Sequence, residues 1–147
     1  METSPHLHFK GNCEEALRFY AESLGGRIVF KMTFGEAPDA QMAPAGWRDK
    51  IAHARLDLGN QVILGCDASP DRYHAPQGFN LMASVETSTD AERIFKALSR
   101  DGTVDMPFQE TFWAHRFGMC TDRFGIPWMV NCPKPLEAVA GQARKSA

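Results

Sequence analysis

A chain of 147 residues has room for one average domain, buries a core without disulfide or metal staples, and leaves no space for a second independent domain. Hydrophobic residues at 44% and charged residues at 23% are ordinary for a folded globular protein. The 16 Lys and Arg against 18 Asp and Glu, with no run of one sign, exclude the electrostatic footprint of a nucleic-acid binder or of a membrane-attracted surface. Cys13, Cys66, Cys120 and Cys132 lie far apart with no C-x-x-C pair, so zinc-knuckle and thioredoxin motifs are absent and buried reduced thiols are expected. No apolar run approaches the roughly 18 residues of a membrane span. Met1-Glu2-Thr3-Ser4-Pro5 lacks the basic then apolar profile of a signal peptide, and a cytoplasmic protein is expected.

The stretch His6 to Phe9 reads as a short strand. Gly11-Asn12 then leads into a helix with Asn12 as the expected N-cap, Glu15 at capping-box spacing, and Ala16, Phe19, Tyr20 and Leu24 on one face. Gly25-Gly26 closes that helix in a conformation other residues resist, and Arg27 to Thr33 follows as a β-branched and aromatic strand. From Gly35 to Asp49, through Pro38 and Pro44, periodicity is lost and a long exposed connection or lid is expected. Ile51 to Leu58 and Gln61 to Cys66 flank Gly59-Asn60 and predict a hairpin.

A polar linker is expected around Asp67 to Gly78, after which the order returns. Asn80 to Glu86 reads as a strand and a helix follows from Thr89 with Glu92 at capping-box spacing. Ala91, Ile94 and Phe95 lie 75 positions after Ala16, Phe19 and Tyr20, which points to a duplication. Strands are expected near Thr103 to Phe108, Phe117 to Thr121 and Pro127 to Cys132, the last two joined by a turn through Asp122 and Gly125. The expected class is α+β: two βαβββ modules, at about 5–67 and 79–133, forming one domain over residues 1–133 with a curved, largely antiparallel eight-stranded sheet around an interior cleft, and a flexible tail over 134–147. Such a concave setting is where small-molecule sites are found.

Four segments carry a family resemblance: His8-Phe9-Lys10-Gly11-Asn12-Cys13-Glu14-Glu15-Ala16, Asp49-Lys50-Ile51-Ala52-His53-Ala54, Gln109-Glu110-Thr111-Phe112-Trp113-Ala114, and Phe117 through Trp128 with its Thr121-Asp122-Arg123-Phe124-Gly125 core. Together they resemble the PhnB-like branch of the vicinal oxygen chelate superfamily, which includes glyoxalases, bleomycin resistance proteins and dioxygenases; the likeness spans Pro5 to Cys132. Some members are labelled 3-demethylubiquinone-9 3-methyltransferase-like. A typical methyltransferase holds its cofactor on a glycine-rich strand-to-helix turn in a larger doubly wound sheet, and this chain has neither G-x-G-x-x-G nor the length, which argues against methyl transfer.

The superfamily's enzymes place His, Gln or Glu on inward strand positions around a divalent ion. The resemblance puts those positions here at Pro5, within Ile63 to Gly65, at Asn80 and at Met129, none a good ligand. No metal or other cofactor is therefore expected. A one-residue shift would offer His6, and His6 and His8 share a face by the strand period of two. That pair is the candidate metal site, short of the three protein ligands usual in catalytic zinc centres.

His53 and Arg55 share a face of the third strand with Asp57, as a proton donor and anion clamp or as a solvated face with cross-strand ion pairs. Phe112 and Trp113, followed by His115 and Arg116, form a pocket wall or a plug over the core. His53 and His115 are the candidate acid–base groups. Candidate ligand-binding residues are His8, His53, Arg55, Asn80, Phe112, Trp113 and Trp128; Trp128 and Met129 fill the core or line the cleft, and Trp47 with Met42 covers its mouth. Two functions remain open. One is a metal-independent small-molecule-binding protein with an aromatic-lined cleft, acting by sequestration or weak acid–base catalysis. The other is a divalent-metal lyase, isomerase or dioxygenase. A purely structural module ranks last. The resemblance implies a homodimer, and no nucleic-acid or membrane partner is expected.

Overall fold

Alternation along β1 (His6–Phe9) buries Leu7 and Phe9 and leaves His6 and His8 exposed in the computed structural model, which describes residues 1–39 and 43–146. The remaining elements are α1 (Cys13–Leu24), β2 (Arg27–Thr33), β3 (Ile51–Asp57), β4 (Val62–Asp67), β5 (Leu81–Ser84), α2 (Ser88–Ser99), β6 (Thr103–Gln109), β7 (Ala114–Thr121), β8 (Pro127–Pro133) and α3 (Leu136–Ser146). They divide into two compact units, Met1–Ala75 and Pro76–Ala147. The eight core strands hydrogen-bond as two four-stranded sheets, β1-β4-β3-β2 and β5-β8-β7-β6. In each sheet the first pair is parallel and the others antiparallel, so the two units carry the same topology and the duplication is present in the fold.

In the first unit, Ala16, Leu17 and Tyr20 of α1 are fully buried together with Phe9 and Leu56. Gly65 lets the helix approach, because a side chain there would meet the Cys13 Sγ at 3.1 Å. Truncating a core residue such as Leu17 to Ala costs about 2–5 kcal/mol. In the second unit Ala91, Ile94, Phe95 and Leu98 of α2 are the buried counterparts, and Val130 and Trp128 of β8 are buried with them. Gly118 serves the same close packing, with Phe95 stacked on Phe108 beside it at 5.0 Å.

Both expected capping boxes are relocated. Asn12 makes no side-chain cap bond; instead Asp67, at the end of β4, accepts the backbone N–H groups of Gly11 and Cys13 on Oδ1, each at 2.9 Å, and that of Ile51 on Oδ2 at 2.8 Å. Asp67 is 3% exposed and belongs to the core, not to the linker the sequence reading assigned it. A carboxylate with three backbone donors there is better than Asn12 at satisfying the helix start, because it also ties β3 and β4 to it. In the second unit the cap is Thr87, whose Oγ1 accepts from the Asp90 N–H at 3.1 Å and donates to Asp90 Oδ2 at 3.0 Å. The Thr89–Glu92 box is not formed, and Glu92 pairs with Lys96 at 3.2 Å.

The predicted hairpin is present: Gly59 takes φ +97, and Asp57 Oδ1 accepts the Gly59 N–H at 2.7 Å. Gly25 ends α1 at φ 80. At the corresponding end of α2, Asp101 takes the left-handed position instead, at φ 59. β7 begins at Ala114, three residues before the expected start, because Thr111 and Ala114 form a closed turn that lets pairing with β8 begin there. Where a flexible tail was expected from 134, the amphipathic helix α3 forms. Among the described residues no helix is long and apolar enough to cross a membrane.

Candidate functional site

The sheet face of the first unit that turns away from α1 collects the polar candidates. His6 and His8 stand on it from β1, and β1 pairs with β4 so that His6 lies opposite Leu64 and His8 opposite Cys66. One donor atom from each of His6, His8 and Cys66 lies within 4.8 Å of the others. The His6 and His8 rings meet edge-on at 5.2 Å, and His53 of β3 stacks on His6 at 5.9 Å and leans on Phe30 at the same separation. Desolvation on the sheet face, with the neighbouring His8 and His53 adding to it, holds the exposed His6 imidazole below its ordinary pKa. Burial raises the Cys66 thiol, with the Asp67 carboxylate adding to the effect.

Beside this cluster, a pocket of about 680 Å³ opens within the first unit. Its wall includes His8, Cys66 and Ala52 on the strands, Phe34 and Trp47 from the long connection, and Ser69, Asp71 and Arg72 from the segment after β4. The expected connection is thus a pocket wall. Of the two residues expected to cover the mouth, Trp47 lines the pocket, and Met42 lies outside the described residues. The volume is within the range of roughly 300–1,000 Å³ typical of small-molecule sites.

The other candidates are distributed differently. Arg55 shares the open face with His53 but is exposed and approaches Glu2 at 3.9 Å, while Asp57 is engaged in the hairpin turn, so the His53–Arg55–Asp57 row divides among three tasks. In the second unit Trp128 is 2% exposed and its Nε1 donates to Asp122 Oδ2 at 2.8 Å; it is a core residue, and of the two roles considered for it the structure assigns the buried one. Asp122 also accepts the N–H groups of Phe124 and Ile126 on Oδ1, which explains the tight Thr121–Gly125 segment. Phe112 is 57% exposed and packs edge-on against Trp113 at 4.8 Å, and Trp113 in turn meets Phe117 at 5.1 Å. Asn131, opposite Phe117 on β8, is 8% exposed, and its Oδ1 has no hydrogen-bond partner among the described residues. His115 is exposed on β7, and Asn80 sits just before β5.

Sequence reading missed Cys66, Phe34, Asp71 and Arg72. The signal for Cys66 is its register with His8, which becomes visible only once β1 and β4 are known to pair in parallel. Arg72 and Asp71 sit in a stretch with no periodicity to place them.

A family model described as 3-demethylubiquinone-9 3-methyltransferase matches residues 1–131. The chain belongs to this family. Among proteins of the family's likeness, Protein YjdN of Escherichia coli K12 is 38% identical over 142 residues, 91% of this chain and 97% of YjdN. The crystal structure of protein PA1353 from Pseudomonas aeruginosa superposes with a TM-score of 0.83 at 43% identity, covering 92% of this chain and 99% of that one. A PhnB protein from Bacillus cereus, itself described as a putative 3-demethylubiquinone-9 3-methyltransferase, gives 0.76 at 22% identity over 89% and 98% of the two chains. At the level of fold, a glyoxylase/bleomycin resistance protein/dioxygenase domain from Frankia sp. gives 0.63 at 16% identity over 91% and 98%. The two βαβββ units thus have the fold of the glyoxalase/bleomycin resistance/dioxygenase proteins.

The metal positions that the resemblance implies fall at Pro5, within Ile63 to Gly65, at Asn80 and at Met129. Pro5 offers only its carbonyl, which accepts the Leu64 N–H; Ile63 is buried among apolar groups and Gly65 has no side chain. Asn80 and Met129 are poor ligands for a borderline divalent ion. The side chains at the positions to which the resemblance points do not suit such an ion.

Proposed function

We propose that this PhnB-like protein binds a small organic molecule, aromatic or largely apolar, in the pocket of its first unit, and that the ligand is held without a metal ion between it and the protein. The observation that supports this reading is the composition of the pocket wall: Trp47 and Phe34 offer ring faces, and Arg72 and His8 offer polar groups at the edge. Ring faces with a few polar groups suit an aromatic ligand carrying an acidic or hydrogen-bonding substituent. Sequestration is the favoured mode of action: burial raises the Cys66 thiol and weakens it as a nucleophile, and the Ser69 hydroxyl donates to Asp71 at 2.6 Å within an exposed local turn. Methyl transfer is disfavoured by the lack of a G-x-G-x-x-G turn to hold the cofactor. The reading as a divalent-metal lyase, isomerase or dioxygenase through the superfamily's usual ligands has Pro5, Asn80 and Met129 against it.

The test is a fluorescence titration with 8-anilinonaphthalene-1-sulfonate, an aromatic anion, in buffer containing a chelator. Saturable binding that weakens about three- to tenfold in Trp47→Ala, the worth of one aromatic contact, and also in Arg72→Gln is the expected result. Absence of binding, or binding indifferent to both substitutions, would overturn the proposal. We also propose a homodimer in solution, supported by the family likeness and by Val29 and Phe30 exposed on edge strand β2; a monomer mass by light scattering at micromolar concentration counts against it.

A further inference from the structure

We propose that His6, His8 and Cys66 together form a metal site contained within the first unit, suited to a borderline divalent ion such as zinc or cobalt. The ligand set differs from the superfamily's inherited positions: all three donors come from β1 and β4, and one is a thiol. Their donor atoms lie within 4.8 Å of one another. Two ligands on one tetrahedral zinc stand roughly 3.5 Å apart, given metal–ligand bonds of about 2.0–2.3 Å, so small side-chain rotations close the set.

The backbone beneath is already organised. His8 and Cys66 are register partners in a parallel ladder, and the period of two brings His6 to the same face. No loop has to be ordered for the donors to converge. The stacked ring of His53 limits how far His6 can turn away. Two imidazoles and a thiol select zinc, cobalt and copper over the oxygen-seeking magnesium and calcium. On binding, the sulfur–metal bond replaces the sulfur–hydrogen bond of Cys66 and the proton passes to solvent. Three protein ligands leave a fourth position, and because His8 and Cys66 also line the pocket, that position borders the space where the organic ligand is proposed to bind.

The experiment uses the full chain, kept reduced with a non-chelating phosphine, stripped with a chelator that is then removed, and titrated with cobalt(II) alone. The expected result is one cobalt per chain with a thiolate-to-cobalt charge-transfer band, displaced by zinc(II). Cys66→Ser should abolish the band. His6→Ala should weaken binding by at least about tenfold, since loss of even an outer-shell partner costs that much. His115→Ala, on the exposed face of β7, should change neither. Circular dichroism checks that each variant is folded, and Cys66→Ala substitutes for Cys66→Ser if the latter is not. No cobalt uptake at micromolar concentration, or an unchanged band in the folded Cys66 variant, would overturn the site. The organic-probe titration is run in chelator, so either proposal can fail while the other stands.

Discussion

Asp67 Oδ1 accepts the Cys13 backbone N–H at 2.9 Å, so the last residue of β4 caps a helix that begins 54 positions earlier in the chain. The same carboxylate holds Gly11 and Ile51, and it directly follows Cys66. One buried side chain therefore fixes the relative placement of β1, α1, β3 and β4, and with them the face that carries His6, His8 and Cys66.

Asp67→Ala is expected to destabilise the fold by about 3 kcal/mol or more, because it leaves three backbone donors at a buried site without their acceptor and each costs about 1–3 kcal/mol. Urea unfolding followed by circular dichroism measures it. Asn12→Ala, whose side chain makes no cap bond, should cost far less. Equal losses for the two substitutions would mean that Asp67 is not the working cap.

The duplicated glycines should be intolerant in the same way. A Cβ on Gly26 would lie 2.6 Å from the Asp57 carbonyl oxygen, and one on Gly102 would collide with that of Thr121. Both obstacles are strand backbone, so Gly26→Ala and Gly102→Ala are each expected to cost about 1–3 kcal/mol. Gly141→Ala, in α3 with nothing within 4 Å, should instead raise helicity by removing a penalty of about 1 kcal/mol. Thermal melts and far-ultraviolet ellipticity separate the three.

Thiol chemistry should follow burial. Cys120 is fully buried and its pKa is pushed up to about 12 by desolvation, with the Asp122 charge adding to it. Burial likewise raises Cys13, with Asp67 contributing. At pH 8 a thiol of that kind is about one part in ten thousand thiolate. Cys66, less buried and at the pocket wall, is expected to react first with an aromatic disulfide reagent, and Cys13 and Cys120 only on unfolding. Labelling followed by peptide mass mapping, with rates rising toward higher pH, checks the order; prompt labelling of Cys120 in the native protein would refute it.

Local pattern was enough to read much of this protein. Alternation announced β1 and the His6–His8 face, Gly59-Asn60 announced the hairpin, and the spacing between Ala16 and Ala91 announced the repeat, because each depends on residues close in sequence or on copies of one local pattern. The segment Phe117 through Trp128 likewise carries the family likeness in its residues alone. Caps were misplaced because Asp67 and Thr87 compete with Asn12 and Thr89, and only the folded sheet decides which oxygen reaches the helix start. Trp128 could have faced a ligand or the core, and strand parity left both open until Asp122 was seen to take its indole N–H. Cys66 joined His6 and His8 through the parallel pairing of β1 with β4, a contact across more than fifty residues that no local propensity encodes. The sequence thus determined most of the elements and their repetition, though not α3, through short-range periodicity and turn chemistry. Tertiary structure decided which polar atoms meet, because long-range register places side chains that are remote in the chain on one face.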